Sequence, residues 1–281
     1  MRIVVTGAAG QLGVDLVDHC RRQGDDVIGL DRAGLDVADR SAVHGIVTML
    51  RPDVIVNAAA WTAVDACEGD VDRAFRVNAL GPRWLREAAG STGAHLVQIS
   101  TDYVFDGRLD RPYREWDTPN PETAYGASKL AGEREAGPDA TIIRTSWVCG
   151  ANGNNMVKTI LRLVEEQSSL TFVDDQRGCP TFTADLAPMV RRLAVDRRAG
   201  VHHVTNQGAV SWFEFVREIV SETGRDPSMV HPIATADLDP PRPARRPANS
   251  VLDNAVLRLG DVPLLRHHRD PLRELVGQLA P

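Results

Sequence analysis

Short apolar runs rich in β-branched residues alternate with amphipathic stretches through the first half of the chain. Ile3, Val4, Val5 and Thr6 form the first run. It is too short for a helix, and β-branched side chains suit the pleated backbone, so it predicts a buried strand. An amphipathic segment follows through Cys20, and a second strand runs from Val27 to Leu30 and ends in the acid Asp31. Residues 40–50 read as a helix stopped by Pro52, 54–57 as a strand, and 70–90 as a helix ending at Gly90. Residues 95–100 predict a strand, 123–136 a helix and 141–144 a further strand. Such alternation predicts an α/β, Rossmann-like fold: a doubly wound parallel sheet with right-handed crossovers and helices on both faces.

Beyond Gly150 the alternation becomes irregular. Helices are expected at about 154–166, 183–195, 211–223 and 270–279, with Gly- and Pro-rich loops between them, notably over 237–247. The expected organisation is a dinucleotide-binding domain over 1–150 and a smaller, mixed C-terminal substrate lobe over 151–281, interleaved with the first in space.

Open parallel sheets bind ligands outside the carboxyl ends of their strands. The expected strand ends carry Gly7, Gly10 and Gly13, then Asp31, then Ala58, Ala59, Ala60, Trp61 and Thr62, then Ser100 and Thr101, and finally Arg144 to Trp147. The glycines are spaced G-x-x-G-x-x-G between a strand and a helix. Glycine lets the backbone approach a pyrophosphate closely, and the following helix N-terminus offers unpaired N–H groups and a favourable dipole. Asp31 suits the ribose hydroxyls of NAD(H), whereas Arg32 suits a 2′-phosphate, so NADH and NADPH both remain open. An ordinary turn acid is the plainer role for Asp31. Asp36 and Val37 frame an adenine ring or form a helix-capping turn.

Tyr125 and Lys129 share one helix face at i and i+4. An ammonium one turn from a phenol lowers the phenol's pKa by favouring phenolate. A hydroxyl from Ser100 or Thr101 then holds a carbonyl oxygen beside the phenol. Side chains alternate along a strand, so one of the two faces the site, and Thr101 is the choice. Tyr125 is expected as general acid to a developing alkoxide, with Lys129 tuning it and holding the nicotinamide ribose. Asp102 and Tyr103 are positioned to touch a polar substrate, and Trp147 to line a sugar pocket or simply to fill the core. Asn154, Asn155 and residues 176–181 fall in loops of the second lobe. Arg245 and Arg246 are candidate diphosphate ligands or an exposed basic loop.

Composition narrows the classes. At 281 residues, with 43% hydrophobic and 25% charged residues, the chain can bury a large core. No apolar run approaches a membrane span, and the N-terminus enters a strand at once, which argues against a membrane partner and a signal peptide. The four cysteines are scattered without a C-x-x-C pair, so reduced thiols in a cytoplasmic protein are expected rather than disulfides or zinc. A net charge of -6 argues against a nucleic-acid surface. The histidines show no metal-ligand spacing and read as structural or surface residues.

Taken together, these runs resemble the extended short-chain dehydrogenase/reductases and, within them, the dTDP-4-dehydrorhamnose reductases. The resemblance rests on residues 7–13, 52–60, 62–65, 77–82, 100–107, 125–133, 144–147, 175–176 and 246–250. It implies hydride transfer from NADH or NADPH to C4 of dTDP-4-dehydro-L-rhamnose, with Tyr125 protonating the oxygen. It places cofactor contacts on Gly10, Gln11, Leu12, Asp36, Val37, Ala60, Trp61, Thr62, Tyr125 and Lys129, and substrate contacts on Thr101, Asp102 and Trp147. Trp61, Cys149 and Cys179 depart from the family pattern, and no tryptophan stands near His268 and Arg269, which fits a related deoxysugar as an alternative substrate. Some members bind magnesium through glutamates at a dimer contact. Position 15 here is Asp15 and no full acidic set is found, so magnesium is not placed and a homodimer is left open. The family also extends to a non-catalytic regulatory subunit of methionine adenosyltransferase, against which the joint presence of Thr101, Tyr125 and Lys129 weighs.

Overall fold

In the computed structural model, which describes residues 1–279, six strands form a central sheet. They are β1 (Arg2–Thr6), β2 (Asp26–Leu30), β3 (Val54–Asn57), β4 (His95–Thr101), β5 (Thr141–Thr145) and β6 (Gly200–His203). Their order is β6-β5-β4-β3-β1-β2, and every neighbouring pair is parallel. Residues of β3 and β5 are buried without interruption, because helices cover both faces of the sheet. The edge strand β2 is only partly buried.

The period of two along a strand divides the core. Ile3, Val5, Val54 and Val56 face helices α1 (Gln11–Arg22) and α6 (Thr183–Val195), where they meet Leu16, Leu186, Val190 and Leu193. Ile55 and Leu96 face the opposite side, against Val43 and Val47 of α2 (Arg40–Leu50) and Leu85 and Ala88 of α3 (Gly81–Thr92). Helix α4 (Ala124–Ala136) lies beside α3, and Thr123 caps its N-terminus by accepting from the Gly126 N–H. A second core joins α5 (Met156–Glu166), α7 (Trp212–Glu222) and α8 (Arg269–Leu279) through Val157, Ile160, Phe182, Phe215, Ile219 and Leu275.

The sequence reading did not place β6, since Gly200, Val201, His202 and His203 make a weak strand signal. Pairing with β5 is what organises them. The C-terminal part of the chain therefore completes the central sheet and supplies α6 to one face. Residues 280–281 of the expected second lobe lie outside the described residues.

The expected helix over 70–90 is also modified. Val71–Phe75 is α-helical, Arg76–Leu80 is a five-residue π-helical turn, and α3 runs on past Gly90 to Thr92. Gly93, at φ 78°, ends it. The π turn brings the Asn78 carbonyl against Gly132 of α4, where a Cβ would lie 2.0 Å from that oxygen.

A buried ion pair locks α4 to the sheet. Arg144 of β5 donates to both carboxylate oxygens of Glu133 of α4, at 2.9 and 2.7 Å, and the side chains are 3% and 6% exposed. Ser100 of β4 donates a third hydrogen bond to Glu133, at 2.5 Å. Replacing Glu133 by Gln should strand the guanidinium in the core and lower unfolding stability by about 3–5 kcal/mol in a urea titration. A loss below about 1 kcal/mol, as for an exposed pair, would contradict the locking role.

Candidate active site

Strand order reverses beside β1, which has β2 on one side and β3 on the other. The crevice at such a point is where open α/β sheets bind ligands. The glycine loop fills it. Gly7 stands at φ 67°, and a Cβ there would come within 2.7 Å of the Ala58 and Ala59 backbone. Gly10 is the N-cap of α1 and provides no side-chain cap, so the first-turn N–H groups and the positive end of the helix dipole are available to an anion.

A cavity of about 290 Å³ is lined by Gly7, Gly10, Asp31, Arg32, Asp36, Val37, Ala58, Ala59, Ala60, Trp61 and Arg73, among others. A second, of about 380 Å³, is lined by Gln11, Leu12, Thr62, Ser100, Thr101, Asp102, Tyr125, Lys129 and Trp147. Both are lined by Gly10, Ala58 and Ala60, so they form two ends of one cleft. An uncapped helix end in the middle, an acid and a base at one extremity and a phenol at the other match the parts of a nicotinamide dinucleotide. Asp31 accepts from the Gly34 N–H through Oδ1 at 2.8 Å, and Arg32 is largely exposed, 3.9 Å from Asp36.

Thr101 ends β4 with its hydroxyl donating to Asp102 Oδ1 at 2.9 Å and accepting from the Tyr103 N–H at 3.2 Å. Tyr125 and Lys129 are buried on α4. Burial, the largest influence, raises the Tyr125 pKa above the ordinary phenol range; the nearby Thr101 hydroxyl opposes this, and the Asp102 charge adds to it. Burial pulls Lys129 down to about 8, against the attraction of Glu133. The Lys129 ammonium donates to the Ile99 carbonyl at 2.6 Å. The expectation that Lys129 lowers the phenol's pKa is therefore corrected. Loss of water around the ring outweighs it, and the ammonium is not among the main influences on Tyr125. A phenol held in its protonated form remains a proton donor.

Asp102 is buried, which raises its pKa to about 6 despite the nearby Ser250 and Thr101 hydroxyls. The Ser250 hydroxyl donates to the Arg177 carbonyl at 3.3 Å, and Asp102 Oδ2 has no hydrogen-bond partner among the described residues. Tyr103 packs edge-on against Tyr125, with ring centroids 5.6 Å apart, and does not line the cavity.

Several expected site residues sit elsewhere. Gly13 does not line the cleft. A Cβ there would lie 2.2 Å from the Gly7 carbonyl, so it lets α1 close onto the loop. Ser100 lines the second cavity, but its hydroxyl is committed to Glu133. Arg246 does not present a free fork to a diphosphate. It grips both Asp65 oxygens at 2.7 Å, with its side chain 9% exposed, and Arg245 pairs with Glu122 at 3.1 Å. Asn155 caps α5 and, with the Asn154 carbonyl, binds the Gln11 amide. Gln176 donates to Thr235. The buried Cys149 thiol donates to the Trp147 carbonyl and lies outside this cleft, and Cys179 is buried as well.

Sequence reasoning missed Asn78. Its amide accepts from the Trp61 N–H at 2.8 Å and donates to the Trp61 carbonyl and the Ser128 hydroxyl, both at 3.0 Å. It thus serves the segment after β3 as a neighbouring strand would. A lone asparagine inside an apolar helical run was the available signal. Arg73 was also missed, and its guanidinium lies 4.3 Å over the Trp61 ring.

The acids near Asp15 are engaged within the chain. Asp15 is bound by Asn152 and Thr183, while Arg266 pairs with both Asp185 and Glu274. No cluster of three ligating side chains occurs among the described residues, and no helix among them is long and apolar enough to cross a membrane.

The model of one protein family, described as the RmlD substrate binding domain, matches residues 1–280. The dTDP-4-dehydrorhamnose reductase of Streptomyces griseus is 44% identical, over 97% of this chain and 92% of that protein. A Streptomyces antibioticus protein described as a probable dTDP-4,6-dihydroxy-2-methyloxan-3-one 4-ketoreductase is 41% identical, over 98% and 94%. The crystal structure of the dTDP-4-dehydrorhamnose reductase of Bacillus anthracis in complex with NADP superposes with a TM-score of 0.94, at 38% identity and over 99% of each chain.

Replacing Gly7 by Ala should weaken binding of the reduced nicotinamide dinucleotide at least about tenfold in a fluorescence titration, because the added Cβ pushes the loop off the Ala58–Ala59 backbone. Unaltered affinity would place the dinucleotide elsewhere.

Proposed function

The chain belongs to the RmlD substrate binding domain family, and on that premise we propose that it reduces the C4 ketone of dTDP-4-dehydro-L-rhamnose to give dTDP-L-rhamnose, as a cytoplasmic NADH- or NADPH-dependent oxidoreductase. The observation that carries this reading is the meeting of Thr101, Tyr125 and Lys129 in one cavity continuous with the glycine-loop groove. A non-catalytic regulatory subunit would have no use for that convergence.

The residues divide the work as follows. Gly7, Gly10 and the N-terminus of α1 bind the pyrophosphate, and Ala58 to Thr62 with Asp36 and Val37 flank the nucleoside parts. The nicotinamide, when bound, supplies hydride. Thr101 orients the substrate carbonyl beside Tyr125. Tyr125, kept protonated by burial, delivers its proton to the oxygen as negative charge develops there. The Lys129 ammonium, held on the Ile99 carbonyl, orients the nicotinamide ribose. Asp102 and Trp147 line the same cavity and flank the sugar.

A second reading keeps the mechanism and changes the sugar. The Streptomyces antibioticus relative, named for a different dTDP-linked ketone, is nearly as similar as the Streptomyces griseus reductase. Turnover of dTDP-4-dehydrorhamnose, followed by loss of reduced-nicotinamide absorbance, decides between the two. Consumption of another dTDP-4-keto sugar with none of this one would select the second.

Tyr125→Phe should bind cofactor normally and lose about 10²–10⁴-fold in ketone reduction, the usual worth of a positioned acid. Wild-type turnover by this variant would remove the phenol from the mechanism. The Lys129 pKa is depressed to about 8, so its charge is present below that pH and lost above it. The reduction rate should fall as pH rises through this value, and Lys129→Met should be slow throughout and lack the limb. A wild-type rate flat across that region would show that the ammonium charge is not required.

A further inference from the structure

Trp147 lines the substrate cavity from an unusual backbone conformation, with φ at 46°. A bulky side chain persists in the left-handed region only where its surroundings over-determine it. Two neighbours outside the cavity do so. The Trp212 indole stacks on the Trp147 indole with centroids 3.6 Å apart and planes 6° from parallel. Gly178 touches the Nε1–Cε2–Cζ2 side of the Trp147 ring so closely that a Cβ would lie 2.4 Å from Cε2.

Both neighbours belong to one rigid unit. Residues 177–178 pair antiparallel with 210–211, Gly178 opposite Val210 and Arg177 opposite Ser211. Ser211 is the N-cap of α7 and forms a reciprocal capping box with Glu214. Arg177 reaches across to Glu214 at 3.2 Å. Trp212, the first residue of that helix, is therefore anchored by the cap on one side and by its N–H to the Gln176 carbonyl on the other.

We propose that Trp212 is a positioning residue: stacked on Trp147 and aided by the bare backbone of Gly178, it sets the wall against which the substrate's sugar ring rests. Neither Trp212 nor Gly178 lines the cavity, so each acts through Trp147. The proposal rests on the ketoreductase reading above, which places a nucleotide-linked sugar there.

The test compares the wild-type enzyme with Trp212→Ala, Trp212→Phe and Gly178→Ala. Trp212→Ala should raise KM for the dTDP-4-keto sugar at least about tenfold while kcat stays within about threefold, because the wall binds the ring equally in the ground and transition states and the acid is untouched. NADPH affinity should be unchanged. Trp212→Phe, which restores a flat partner, should recover most of the loss, and Gly178→Ala should reproduce it. Near-ultraviolet circular dichroism reads the packing of the indoles, and Trp212→Ala should change that spectrum. A changed spectrum with unchanged KM overturns the proposal. So does a joint fall of KM performance, NADPH affinity and melting temperature, which marks general damage to the lobe. Failure of the wild-type protein to turn over any dTDP-4-keto sugar overturns the parent reading, and this one with it.

Discussion

A guanidinium and a carboxylate withdrawn from water hold α4 against the sheet, and the position of that helix decides the candidate site. Arg144 is supplied by β5, Glu133 by α4, and the Ser100 hydroxyl of β4 adds the third bond. Arg144 Nη1 has no hydrogen-bond partner among the described residues, and the guanidinium lies 5.1 Å over the Phe105 ring, so its two bonds to Glu133 are what hold it, and sliding or rotation of the helix would break them. One helical turn from Glu133 is Lys129, and one turn further is Tyr125. The pair thus fixes the register in which the phenol and the ammonium approach Thr101 at the end of β4.

Burial then acts on the two site groups with opposite consequences for charge. Removing water disfavours phenolate, so Tyr125 keeps its proton. It also disfavours ammonium, so Lys129 is drawn toward neutrality, and Glu133 offsets part of that pull. The cation of Lys129 is anchored on the Ile99 carbonyl, which directs it without neutralising it. The cleft therefore holds a protonated phenol and, one helical turn away, a cation whose charge depends on pH.

The rest of the cleft depends on backbones coming closer than side chains allow. Gly7 brings its loop onto the segment after β3, Gly13 lets α1 close onto that loop, Gly132 lets α4 meet the π-helical turn, and Gly178 admits Trp147. Asn78 belongs to the same arrangement. By binding both backbone groups of Trp61 it holds a stretch that has left the sheet and would otherwise lack partners. Arg246 and Asp65 likewise tie the proline-rich C-terminal loop to the start of the Val64–Gly69 helix, so a residue suited to phosphate serves here as a fastener.

Much of this was legible in the residues alone. Alternating β-branched runs and helical patterns specify a parallel sheet, because period and length are local properties. Glycine spacing after β1 and the i, i+4 spacing of Tyr125 and Lys129 point to the cleft, since a turn and a helix face are local as well. Other features depended on partners far away in sequence. Strand β6 exists through its pairing with β5, Arg246 acquires its role from Asp65, and Ser100 turns to Glu133. The state of the phenol also belongs to this second class. Spacing determined that Tyr125 and Lys129 share a face, whereas only the packed structure decided that desolvation, a property of everything surrounding the ring, outweighs the nearby charge.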